Sequence, residues 1–271
     1  MLPKVRKAKD EIKKYKKVII AFSGGVDSLY LLKLAVDTLG KDNVLAVTAT
    51  SPLSTVGEAE NAKELSSSLG VEHIIVELDE LSVPEICSNP VDRCYHCKRF
   101  RYEQLVKLMN QRGYEVILDG SNFSDLGDYR PGMRACKELG IVSPLKIAEL
   151  TKDEIRKGLK EAGISQWNTP SRACLASRIP YGDKLTQEKL HKIDRAEQFL
   201  MSLGFENLRV RLHGDIARIE LPKEDLYLVF EKKLTEIILD RFKDYGFKFV
   251  TLDIEGLRSG SLNPDKEVVK K

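Results

Sequence analysis

Apolar and polar positions switch between two periods along the chain, and the switches mark its elements. Val18, Ile19, Ile20, Ala21 and Phe22 form an unbroken apolar run, which predicts a short buried strand. Ser23 to Ser28 is a polar, glycine-bearing turn. Leu29, Leu31, Leu32, Ala35 and Leu39 then recur at helical spacing, and Gly40 stands where a helix would end. The alternation continues. Val44–Ala49 predicts a second strand, and Thr55-Val-Gly-Glu58 reads as a capping box opening a helix with Ala59, Ala62, Leu65 and Leu69 inward. His73–Leu78 and Tyr114–Asp119 predict two more strands. Before all of these, Lys4–Lys17 predicts a basic amphipathic helix with Val5, Ala8 and Ile12 on one face. Strands alternating with helices predict an α/β fold with a doubly wound, mostly parallel sheet.

The pattern changes in the last third. A helix capped by Thr151-Lys-Asp-Glu154 closes the alternating region, and Ser171–Gly182 (SRACLASRIPYG) has no clear period. That stretch is read as a boundary between residues 1–182 and a smaller α+β domain over 183–271. There, Thr186 caps a helix with Leu190, Ile193, Phe199, Leu200 and Leu203 on its apolar face. Leu208–Leu212 and Ala217–Leu221 alternate with period two around His213-Gly214-Asp215, which predicts a hairpin. A helix over about Lys223–Tyr245 and a strand over Phe247–Ile254 complete the domain.

Composition narrows the class. The 271 residues are 42% apolar and 31% charged, with 44 Lys+Arg against 41 Asp+Glu. A formal charge of +3 gives no bulk argument for a nucleic-acid partner. The apolar runs are too short to span a membrane, and no charged n-region followed by an apolar h-region opens the chain. A cytoplasmic enzyme is expected, and in that setting five cysteines point to metal or catalysis before disulfides.

The first strand, turn and helix place backbone N–H groups and a helix dipole where a phosphate fits. A Walker A loop is excluded, because Asp27 rather than Lys precedes Ser28. SGGVDS resembles instead the PP-loop of the ATP pyrophosphatase superfamily, whose members cleave ATP between the α and β phosphates and adenylate a carbonyl or carboxyl oxygen. The plainer reading is a tight strand-to-helix turn that needs its glycines. In a parallel sheet ligands sit beyond the carboxyl ends of the strands. Ala21, Ser23, Gly24, Gly25, Asp27 and Ser28 are therefore expected to converge with Ala49, Ser51, Gly120 and Asn122 on ATP. Asp27 and Asp125 are candidates for the accompanying Mg²⁺.

Cys94-Tyr-His-Cys97, read as lying in a loop, has the spacing to put two thiolates on one metal. Cys174, Cys87, Cys136 and His96 are candidates for further ligands, and a redox pair or structural cysteines are the alternatives. Cys174 lies beside Arg172, Ser177 and Arg178, and neighbouring cations favour a thiolate. A lone buried cysteine is the plainer reading. Arg209 and Arg211 share one strand face and suit a phosphate or carboxylate clamp, or else a solvated edge. Glu197 and Glu220 are candidates to hold a metal or to orient those arginines, with surface ion pairs as the alternative. Cys136 reads as packing, and Trp167 and Cys87 have no assignment.

Taken together, SGGVDS, DGSNFSDLGDYRPGMRA (119–135), SPL (143–145), CLASRIPYG (174–182), RVRLHGDIARIE (209–220) and GLRSGSLN (256–263) resemble the LarE family over nearly the whole chain. These are ATP-dependent pyridinium biscarboxylic acid mononucleotide sulfurtransferases that serve the nickel-pincer cofactor of lactate racemase. The resemblance implies ATP·Mg²⁺ at the PP-loop, an acyl-adenylate of the mononucleotide carboxylate, released pyrophosphate and a thiocarboxylate product. It implies catalytic roles for Cys174, Asp27, Ser28 and Arg178, and a grip on the substrate phosphate by Arg209 and Arg211. It further implies a homo-oligomer, a hexamer in the family. Two branches differ in sulfur source. In one the cysteine of CLASR is sacrificed to dehydroalanine. In the other, which the extra CxxC favours here, Cys94, Cys97 and Cys174 hold a [4Fe–4S] cluster whose bound hydrosulfide, replenished by a sulfide source, supplies the sulfur. A tRNA thiolase of the same superfamily, an amidotransferase of the NAD or GMP synthetase type and a non-catalytic nucleotide-binding metal module are the competing functions.

Overall fold

A computed structural model describes residues 2–127, 132–169, 173–231, 233–258 and 260–262. The chain divides into two units. One comprises Met1–Ser51, Val56–Glu80 and Asp92–Arg172, and the other Pro52–Thr55, Leu81–Val91 and Ala173–Lys271.

The first unit is built on strands β1 (Val18–Ala21), β2 (Val44–Thr50), β3 (Glu72–Glu77) and β4 (Val116–Asp119). They pair in the order β3-β2-β1-β4, all parallel, with Val18 opposite both Val44 and Val116. Its helices are α1 (Leu2–Ile12), α2 (Val26–Leu39), α3 (Glu58–Ser68), α5 (Arg93–Arg112), α6 (Gly132–Glu138), α7 (Pro144–Ile147) and α8 (Lys152–Glu161); α4 (Pro84–Cys87) belongs to the second unit. Both sheet faces are covered, which is why the strands read as apolar runs. Val18, Ile20 and Leu118 pack with Leu29 and Leu32 of α2 and Ile155 of α8. Ile19, Leu45, Val47 and Ile117 pack on the other side with Tyr102 and Leu105 of α5 and Cys136 of α6. Each such fully buried aliphatic side chain is worth about 1.5–3 kcal/mol. The α/β, mostly parallel architecture is the one expected.

The second unit carries β5 (Arg209–His213), β6 (Ile216–Glu220) and β7 (Phe249–Leu252), ordered β5-β6-β7. The expected hairpin is present, with Arg209 opposite Glu220 and Arg211 opposite Arg218, and β7 joins β6 in parallel. Helix α9 (Gln187–Ser202) starts as expected behind Thr186, whose hydroxyl accepts from the Lys189 N–H at 3.2 Å.

Three local expectations are corrected. The C-terminal helix expected over Lys223–Tyr245 is broken into a 3₁₀ turn at Lys223–Asp225, α10 (Leu228–Glu231) and α11 (Thr235–Asp244). Lys233 adopts φ 52°, a left-handed conformation that no helix can contain. Helix α3 begins at Glu58 behind Gly57 at φ 80°, with no side-chain cap, rather than at a Thr55 capping box. Cys94 and Cys97 lie in the opening turns of α5 and not in a loop.

Candidate functional site

The PP-loop stretch forms the floor of a cleft of about 390 Å³ lined by Ser23 to Ser28, Gly57, Glu58, Asn61, Lys152 and Thr169. Gly24 sits at φ 70°, a backbone conformation that requires glycine, and a Cβ there would come within 2.9 Å of Asn61 Nδ2. Gly25 is the N-cap of α2 and brings no side chain. The N–H groups of the first turn of α2 have no acceptor within the helix and carry the positive end of its dipole. The loop is held from inside: Ser28 Oγ donates to Gly25 O at 3.0 Å and lies 3.2 Å from Ser23 Oγ. Beneath it, the buried Thr48 hydroxyl donates to Phe22 O at 2.7 Å and therefore accepts from His73 Nε2, also at 2.7 Å.

Helix α8 delivers a cation to the cleft. Gly158 lets α8 lie against Tyr30 of α2, since a Cβ there would be 2.6 Å from the tyrosine ring. The Thr151–Glu154 capping box fixes the start of the helix. Lys152 follows that cap and places Nζ 3.7 Å from Asp27 Oδ2. A cation, an acidic group and a helix N-terminus in one cleft suit a polyphosphate with its divalent ion.

At the adjoining end of β4, Gly120 presses on the loop from behind, a Cβ on it falling 2.8 Å from Ser28 N. The neighbouring Asp119 is 3% exposed and accepts from Lys98 Nζ at 3.1 Å, Ser121 Oγ at 2.7 Å, Ser143 Oγ at 2.5 Å and Tyr102 O–H at 3.2 Å. Burial pushes this carboxyl up, but the Lys98 ammonium and the Ser143 and Ser121 hydroxyls outweigh it and hold it below its ordinary value. Lys98, one residue after Cys97, also donates to Cys136 Sγ at 3.3 Å. Burial and Asp119 push the Cys136 thiol up, consistent with the packing role expected for it.

Because the folded carboxyl is depressed, Asp119 stabilises the protein above its ordinary value near 3.8, and that contribution is lost as pH falls below it. Asp119→Asn is expected to cost about 2–3 kcal/mol, the partly exposed Lys98 softening the loss of a buried pair. Thermal melting across pH checks this: the variant melts lower at neutral pH, and its melting temperature falls less than the parent's between pH 4 and 3.

In the second unit, Cys174 is half-buried at the start of a 3₁₀ turn, Leu175–Arg178. The Ser177 N–H and hydroxyl donate to the Cys174 carbonyl at 3.0 and 2.8 Å. Arg178 is 1% exposed; its Nε and Nη2 grip Glu197 at 2.9 and 2.8 Å, and its Nη1 donates to Ala173 O and Cys174 O at 2.6 and 3.0 Å. The turn is tied further by Leu175 N–H to Leu53 O at 2.9 Å. The buried Asn89 donates to Pro180 O at 2.8 Å.

The two strand arginines are not equivalent. Arg211 is buried, with Nε and Nη2 on Glu220 Oε2 at 3.1 and 2.8 Å and Nη1 on Ser177 O at 2.8 Å. Arg209 is half-buried and donates to Leu208 O at 2.6 Å. Burial, then the charges of Arg178 and Arg211, bring its guanidinium down to about 10, so it stays cationic at neutral pH in a setting that favours an added anion. Glu220 also accepts from Arg218 at 3.0 Å and Ser261 Oγ at 2.7 Å. Glu220 thus pairs with Arg211 and Arg218, whereas Glu197 pairs with Arg178 rather than with either of the strand arginines expected for it.

Of the expected nucleotide set, Ser23, Gly24, Gly25, Asp27 and Ser28 line the cleft. Ala21 lies at the end of β1 and Ala49 in β2; Ser51 donates to the buried Glu80, which Arg101 grips at 2.9 and 2.8 Å. Asn122 is buried, and its N–H donates to Asp125 Oδ2 at 3.0 Å. Cys94 is exposed and Cys97 half-buried, one turn apart on α5, while His96 lies 3.4 Å from Asp92. Cys87 Sγ donates to Leu185 O at 3.3 Å, and Trp167 stacks under Lys160 at 4.8 Å. Among the described residues no three His, Cys, Asp or Glu side chains gather as a metal site. No described helix is long and apolar enough to cross a membrane. Residues 128–131, Arg172, Asn263 and the Lys-rich tail, parts of the sequence patterns above, lie outside the described residues. Sequence reading missed Lys152, Asn61, Lys98 and Glu80. The capping box before Lys152 was the one available signal, and it spoke of a helix start rather than a phosphate.

Residues 4–103 match the family described as NAD synthase. The pyridinium-3,5-bisthiocarboxylic acid mononucleotide synthase of Lactiplantibacillus plantarum is 40% identical over 254 residues, 93% of this chain and 91% of that one. Uncharacterised proteins of Synechocystis sp. and Methanocaldococcus jannaschii are 41% and 34% identical, over 91% and 95% of this chain and 92% and 98% of theirs.

Proposed function

The chain belongs to the LarE family of ATP-dependent sulfurtransferases, and from that premise we propose that it converts the carboxylates of a pyridinium biscarboxylic acid mononucleotide to thiocarboxylates. A carboxylate is a poor electrophile. Adenylation turns one oxygen into part of a phosphate leaving group, and sulfur attack on the acyl carbon then expels AMP. The first turn of α2, Ser23 and Ser28 hold the departing pyrophosphate, Lys152 balances its charge, and Asp27 would help hold the accompanying Mg²⁺. Arg209 receives the substrate phosphate, backed by Arg211.

The observation that carries the reading is Cys174, a half-buried thiol on a turn whose carbonyl is held by several donors, in the unit that also bears Arg209. Cys94 and Cys97 adjoin on one helical turn of α5 and would supply two thiolates to an iron–sulfur cluster. Such a group would supply inorganic sulfur as the nucleophile.

The test is pyrophosphate release from ATP by the purified chain with sulfide, measured with and without pyridinium-3,5-biscarboxylic acid mononucleotide, with mass spectrometry of the product. Mononucleotide-dependent release together with an oxygen-to-sulfur exchange is expected. Release stimulated by tRNA and not by the mononucleotide would refute the proposal.

A further inference from the structure

The brace around Cys174 joins three elements of the second unit through one ion pair. Nη1 of Arg178 holds the Cys174 carbonyl. The fork formed by Nε and Nη2 grips both oxygens of Glu197 on α9. Glu197 Oε1 then accepts the backbone N–H of Val210 at 3.0 Å, between Arg209 and Arg211. Strand β5 is an edge strand, so that N–H points away from β6 and needs a partner outside the sheet. The carboxylate of α9 supplies it. A second strut, from Arg211 Nη1 to Ser177 O, runs in parallel.

We propose that Arg178 and Glu197 are positioning residues that set the sulfur-bearing turn at a fixed distance from the anion-binding strand. The inference rests on the sulfur-transfer reading above. Arg178 is 1% exposed, with Nε, Nη1 and Nη2 all engaged, so it acts through the Cys174 backbone rather than on substrate. Glu197 is 2% exposed, with both oxygens on the arginine, so its carboxylate serves the same brace. A buried bidentate pair suits that task, since its planar fork fixes direction as well as distance.

Arg178→Lys keeps the charge opposite Glu197 but removes the fork, and with it the clamp on the Cys174 carbonyl. In this variant thiocarboxylate formed per pyrophosphate released is expected to fall about tenfold to a hundredfold, because small misplacement of a reacting group is costly. KM for the mononucleotide in pyrophosphate release should be unchanged. Cys174 should also react faster with iodoacetamide, followed by peptide mass spectrometry. An unchanged product ratio, or product and pyrophosphate falling by the same factor in a variant that melts like the parent, would overturn the proposal. If Arg178→Lys melts early, the double variant Arg178→Met with Glu197→Met, which leaves no orphaned buried charge, is judged by the same criteria. If the parent itself releases no mononucleotide-dependent pyrophosphate, the functional reading fails; alkylation then decides the brace alone, an unchanged rate rejecting it.

Discussion

In a Cys174→Ser variant, thiocarboxylate formation falls below detection while mononucleotide-dependent pyrophosphate release stays within about threefold of the parent. The separation follows from where each step is housed. The cleft assigned to ATP is lined by residues of the first unit, whereas Cys174 belongs to the second. The contacts that shape its turn run through its carbonyl, to Ser177 and Arg178, and a serine keeps that carbonyl. Only the sulfur is lost. Product and pyrophosphate assayed side by side check the expectation, and appreciable thiocarboxylate from the variant would remove Cys174 from the reaction. Mass spectrometry of the parent after turnover then separates two sulfur sources. Loss of one H₂S from Cys174 marks a sacrificed cysteine, and an intact residue marks sulfur supplied from elsewhere.

Gly120→Ala is expected to lower kcat/KM for ATP in pyrophosphate release by about a hundredfold. The added methyl would lie 2.8 Å from Ser28 N, 3.0 Å from Ser28 Cα and 3.1 Å from the Asp27 carbonyl carbon. All three are backbone atoms at the start of α2, so relief of the clash displaces the N–H groups assigned to pyrophosphate. The cost to folding is that of a modest overpacking, about 1–3 kcal/mol. Loss of ATP use in a protein that still melts cooperatively is the expected pair of results. Kinetics within twofold of the parent would show that the end of β4 does not shape the phosphate site.

Local features were legible in advance where a few consecutive residues determine them. The apolar run of β1, the glycine-rich turn and the apolar positions of α2 are contiguous, and both faces of β1 are buried as such a run implies. Thr151 and Thr186 capped the helices expected of them because a cap is made within one turn. Helical periodicity over 223–245 failed for a related reason. The apolar spacing persists across Lys233, but one left-handed residue breaks the helix without altering the period. The CxxC spacing was equally blind to context, since two thiols three residues apart adjoin on a helix as well as in a loop.

The sequence by itself determined the nucleotide chemistry and the family, because strand, turn and helix N-terminus are made from adjacent residues and the motifs stand intact in the chain. Only the tertiary structure decided which side chains line the cleft and how the buried arginines are paired. Lys152 reaches Asp27 because Gly158 lets α8 pack on α2. Alternation placed Arg209 and Arg211 on one face of β5, but their division of labour depends on distant partners. Glu220 and Ser177 O occupy Arg211, while Glu197 and the Cys174 carbonyl occupy Arg178. A buried charge takes its function from the group that compensates it, and that group is chosen by folding and not by position in the chain.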